Sequence, residues 1–66
     1  MTTHPLTPRQ LEACALYAQG LRVYKVAQRM GVKPSVAQHY LDDARRRMDA
    51  RTLGQLMFML GREVRL

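Results

Sequence analysis

This 66-residue chain has one cysteine, two histidines and five acidic residues, and each shortage closes off a class of function. Cys14 alone can form no internal disulfide and no cysteine-built zinc site. His4 and His39 stand far apart, and neither lies at metal-ligand spacing from a partner. No nucleophile–base pair, glycine-rich phosphate loop or catalytic carboxylate pair is evident, so neither an enzyme nor a cofactor is expected. No apolar run approaches the ~18–20 residues needed to span a membrane. Met1 to Leu6 has neither the basic start nor the apolar centre of a signal peptide, so a reducing cytoplasm is expected. There is no internal repeat, low-complexity tract or linker. The length suits one small domain with a thin core, with 1–5 and 62–66 as tails.

What the chain does have is positive charge. Eleven Lys and Arg against five Asp and Glu give a net charge of +6. That balance favours a polyanionic partner, although many small proteins are basic without binding one.

A spacing between Val23 and Tyr40 is more specific. With Val23 as position 1, Val26, Met30, Val32, Ala37 and Tyr40 fall at positions 4, 8, 10, 15 and 18, with Ala27 at 5 and Gly31 at 9. Val26 and Met30 are i,i+4 neighbours on the inner face of one helix. Ala27 is small where a second helix crosses close to it. Gly31 can take the positive φ that ends the first helix and begins a tight turn. Val32 plugs the turn into the core. Ala37, Tyr40, Leu41, Ala44 and Met48 then line the inner face of the second helix. This is a helix-turn-helix pattern, whose second helix commonly enters a DNA major groove.

Capping signals predict four helices and an all-α domain. Thr7-Pro8-Arg9-Gln10 reads as a capping box with proline at the first helical position, and Leu6 with Leu11 as a hydrophobic staple. Helix 1 should run from about Pro8 to Gln19 and stop at Gly20, with Ala13, Cys14, Tyr17 and Ala18 facing inward. Helix 2 should run from about Val23 to Met30. Helix 3 should begin at Pro34 and reach about Met48, roughly 22 Å at 1.5 Å per residue, long enough to cross a groove roughly 12 Å wide. Thr52-Leu53-Gly54-Gln55 reads as a second capping box, opening helix 4 from about Leu53 to Leu60, with Gly61 as its stop.

Candidate contacts follow from these positions. Arg22, Lys25 and Lys33 sit at the amino ends of helices 2 and 3, where a cation opposes the helix dipole unless an anion such as phosphate also binds there. Arg45 and Arg46, in the run Arg45-Arg46-Arg47, suit phosphates flanking a groove. Ser35, Gln38 and His39 project from the outer face of helix 3 and can reach base edges. Asp42 can accept from a cytosine amino group. A plainer role for the acids is intrahelical pairing, Asp42 with Arg46 and Asp43 with Arg47, each at i,i+4. Tyr17, Tyr24 and Tyr40 read as packing residues, with Tyr24 placed to touch phosphate. On helix 4, Leu53, Leu56, Met57 and Leu60 form one stripe, while Phe58 and Met59 add apolar surface elsewhere. So small a core is not expected to cover all six, which points to a dimer or partner interface on this helix.

The stretch from Leu6 to Met57 resembles the DNA-binding domain of the LuxR/GerE family of bacterial transcription regulators. The resemblance rests on Leu6-Thr7-Pro8-Arg9-Gln10, Ala18-Gln19-Gly20-Leu21, Val26-Ala27, Met30-Gly31-Val32, Pro34, Leu41, Arg47-Met48, Arg51 and Leu56. Sigma-factor region 4 shares the opening and the helix-turn-helix, but the fourth helix after Arg51 favours LuxR/GerE. The resemblance implies a four-helix domain of bacterial or phage origin, here stand-alone, that dimerises through helix 4 and reads DNA with helix 3. The chain departs from the family where a helix 2 capping box of Ser and Glu is replaced by Arg22 and Lys25. It also departs at Lys33, at Val36-Ala37-Gln38 in place of Thr-Val-Lys, at Tyr40 in place of His, and at Asp42 in place of a basic residue. Two functions are therefore expected to compete. One is a homodimeric, sequence-specific DNA-binding regulator. The other is a protein-interaction module that binds a LuxR-type regulator or RNA polymerase through helix 4 without reading DNA.

Overall fold

Thr7 starts the fold. Its Oγ1 accepts the Gln10 backbone N–H at 3.2 Å, and Gln10 Oε1 accepts the Thr7 N–H at 3.0 Å. Two donors that a helix start leaves unsatisfied are thereby used, with Pro8 at the first helical position where no N–H is needed. The computed structural model describes residues 5–64, with side chains through residue 60; His4 and the rest of 1–4 and 65–66 lie outside it. Four helices follow: α1 (Pro8–Ala18), α2 (Val23–Met30), α3 (Pro34–Arg47) and α4 (Leu53–Val64). No strand occurs among the described residues, and the fold is a small all-α domain.

The turn between α2 and α3 takes the expected form. Gly31 is left-handed at φ 72°. The Val32 N–H donates to the Ala27 carbonyl at 3.0 Å, and the Gly31 N–H to that of Gln28 at 3.2 Å. These two bonds close the helix end in a Schellman motif. Helices α1, α2 and α3 pack on one another, and α4 packs on α3. Leu41, Leu56, Leu60, Val26 and Cys14 are the largest fully buried side chains. Burying each aliphatic one contributes about 1.5–3 kcal/mol. Ala13, Ala27, Ala37 and Ala44 are all buried as well, and such small side chains let the helices approach closely.

Several expectations need correction. α1 ends at Ala18 and α3 at Arg47, each one residue early, with Gln19 and Met48 as their caps. Ala18 is exposed rather than on the inner stripe, because it closes the helix where the chain turns out through exposed Gln19 and Gly20. α4 does not stop at Gly61 but continues to Val64, so 62–64 are helix rather than tail. Glycine ends a helix when it turns left-handed, as Gly31 does; within a helix it only weakens it, by about 1 kcal/mol. The second capping box is shifted. Thr52 Oγ1 accepts the Gln55 N–H at 3.0 Å, but Gln55 Oε1 accepts from Arg51 at 2.7 Å rather than from Thr52.

One feature has no glycine to announce it. Asp49 sits at φ 56° after α3. The Ala50 N–H donates to the Arg45 carbonyl at 2.9 Å, and the Asp49 N–H to that of Arg46 at 3.1 Å. This is a second Schellman-type end, with buried Ala50 as its apolar contact.

Candidate nucleic-acid interface

The helix-turn-helix holds α3 from beneath. Ala37, Leu41 and Ala44 are buried and Tyr40 is half-buried against the core, which turns Ser35, Val36 and His39 outward into solvent. Arg9 adds a brace at the turn: its Nη2 donates to the Met30 carbonyl at 3.3 Å, and its guanidinium lies 6.0 Å from the centroid of the Tyr40 ring. The same Arg9 pairs with Glu12 at 2.9 Å.

Both helix starts at this surface lack a side-chain cap. Arg22 is the N-cap of α2 and Lys33 that of α3, each with extended backbone and no side-chain hydrogen bond to the helix. An uncapped helix start beside a cation is an arrangement suited to a phosphate. Lys25 is exposed, with its Nζ 5.9 Å from the centroid of the Tyr24 ring, and Tyr24 is itself 52% exposed. Arg29, one turn beyond Lys25, is exposed too. Sequence reasoning left Arg29 out, although its i,i+4 spacing from Lys25 is a readable signal.

The predicted base-reading residues divide. Ser35 and His39 are exposed. Gln38 and Asp42 are half-buried and joined to each other, Gln38 Nε2 donating to Asp42 Oδ1 at 3.1 Å. The expected Asp42–Arg46 pair is not among the ion pairs of the described residues. Gln38 also lies one turn from Asp42, on the other side, and takes that place. The companion pair is present, with Arg47 Nε 3.5 Å from Asp43 Oδ2. Arg45 bends back, its Nη1 donating to the Ala50 carbonyl at 3.2 Å, while Arg46 is exposed. Arg45 thus already helps to seal the end of α3.

The expected α4 interface also divides. Leu56 and Leu60 are 0% exposed and belong to the core, because α4 lays this stripe on α3. Leu53, Met57 and Met59 are half-buried, and Phe58 is 65% exposed. The small core thus buries two of the six apolar side chains fully and three partly, so it does not cover all six, and Phe58 marks the outer face. Gly54, one turn before Phe58, is exposed. A Cβ there would meet only Thr52 Oγ1, at 3.8 Å.

No helix of the described residues is long and apolar enough to cross a membrane. No protein-family model matches the chain, nor does any curated protein or solved structure.

Proposed function

We propose that this chain is a sequence-specific DNA-binding transcription regulator similar to LuxR/GerE-type domains. It acts as a homodimer joined through α4, with α3 in the major groove. The observation that carries the reading is the outward face of α3, held over the Gly31 turn with exposed Ser35, Val36 and His39. Uncapped helix starts at Arg22 and Lys33 flank it. In this reading Ser35, His39 and the Gln38–Asp42 pair meet base edges. Arg22, Lys25, Lys33 and Arg46 hold phosphates, joined by Arg29 and by whatever donors Arg45 has left. A symmetric pair would place its two recognition helices about one DNA turn apart.

Exposed Phe58 favours a second reading, in which α4 docks on another protein and DNA is not read. Two variants separate these functions. Arg22→Glu with Lys25→Glu should abolish duplex binding in the first reading and leave partner binding intact in the second. Phe58→Asp should shift the dimer to monomer by light scattering in the first reading, and abolish capture by the partner in the second. Leu56→Asp is unsuitable for this purpose, since a charge in that buried position unfolds the domain.

A further inference from the structure

One side chain on the outward face of α3 is apolar among polar neighbours. Val36 is 37% exposed in the first turn of α3, with exposed Lys33, Ser35 and His39 around it. A β-branched residue is a weak helix former, and first turns favour acidic side chains. Helix preference does not account for valine there, and core packing leaves more than a third of it open to solvent. The first turn of a groove-binding helix is the part that reaches base edges. Those edges present donors and acceptors throughout the major groove, with one apolar group among them, the 5-methyl of thymine.

We propose that Val36 is a specificity-determining residue that selects a thymine by packing its γ-methyls against that 5-methyl group. This rests on the DNA-binding reading above and adds a base preference to it. Cytosine is disfavoured at the same position twice over. It lacks the methyl, and its amino donor would lose water against a side chain that cannot accept a hydrogen bond. Ser35 and His39 take the polar edges on either side.

The test begins with duplexes selected from a random pool by the unaltered protein. Each thymine in the selected site is then replaced singly by deoxyuridine, which removes only the methyl. Affinity is measured for the unaltered protein and for Val36→Ala, with circular dichroism confirming that the variant keeps its helices. The expected result is a loss of about four-fold at one thymine per half-site, the value of one methyl-sized contact. Val36→Ala should bind the thymine and uracil duplexes equally. A protein that binds its site but is indifferent to every thymine methyl overturns this inference alone. So does a uracil penalty that persists in Val36→Ala. Failure to bind any duplex overturns the DNA-binding reading and this inference with it.

Discussion

Gln10 Nε2 donates to Asp43 Oδ2 at 2.7 Å, joining α1 to α3 across 33 residues of sequence. The same Gln10 closes the capping box with Thr7, and the same Asp43 oxygen faces Arg47. Arg47 in turn donates to the Pro5 carbonyl at 3.3 Å. The start of α1 and the far half of α3 are thereby tied in one polar network. Gln10 is the one buried polar residue among those described, at 5% exposure.

Gln10→Ala removes an acceptor from the helix start and a donor from a carboxylate. It should destabilise the domain by about 1–3 kcal/mol in denaturant unfolding. Asp43→Ala should cost a similar amount, and the double variant less than the sum of the two. Strict additivity would show that the 2.7 Å contact carries no coupling.

The left-handed turns at Gly31 and Asp49 should respond in opposite directions. Gly31→Ala meets no steric contact within 4 Å, so its whole cost is the φ of 72°, about 1 kcal/mol or somewhat more. Asp49→Gly relieves the same kind of strain at φ 56° and should stabilise by up to about 1 kcal/mol. Melting temperatures moving the same way in both variants would contradict this account of the helix ends.

Cys14 is fully buried on α1, and burial pushes its thiol up to about 11 from an ordinary value near 9. The folded chain therefore holds this proton more tightly than the unfolded one. The stability linked to it is fully present below about pH 9 and is lost as pH rises through about 11. The unfolding free energy measured across that window should fall more steeply for the unaltered chain than for Cys14→Ala. Parallel profiles would show that the thiol does not contribute.

Gln38 and Asp42 should act as a unit on DNA. Because Gln38 donates to Asp42, either Gln38→Ala or Asp42→Ala should relax specificity at the same positions of a selected site. The double variant should lose little more than one single variant. Distinct positions and additive losses would show that each side chain reads alone.

Much of the fold was legible where local chemistry decides structure. Thr7 with Gln10, Pro8, Pro34 and Gly31 each state a backbone requirement within a few residues, and the Val23–Tyr40 spacing states which faces meet. What was not legible depended on competition between equal local choices. Asp42 has an i,i+4 partner on each side, and only the folded helix shows that Gln38 prevails. Gly61 can end a helix or pass through one, and here α4 passes through it. Asp49 takes a conformation usually marked by glycine. On α4, spacing showed an apolar stripe but not that Leu56 and Leu60 would be buried completely. The outer site was legible as positions on a helix. That Arg45 turns back to Ala50 was not, because its partner is a backbone carbonyl.

The central claim is that this surface binds duplex DNA, and a fluorescence-anisotropy titration of labelled random duplex tests it most directly. It should be run at low and at near-physiological salt, with Lys25→Ala alongside. The account predicts binding that weakens steeply with salt as counterions are released, and a log–log slope reduced by about one in Lys25→Ala. No binding at low salt, from a chain of net charge +6, would contradict it and turn attention to a protein partner for α4.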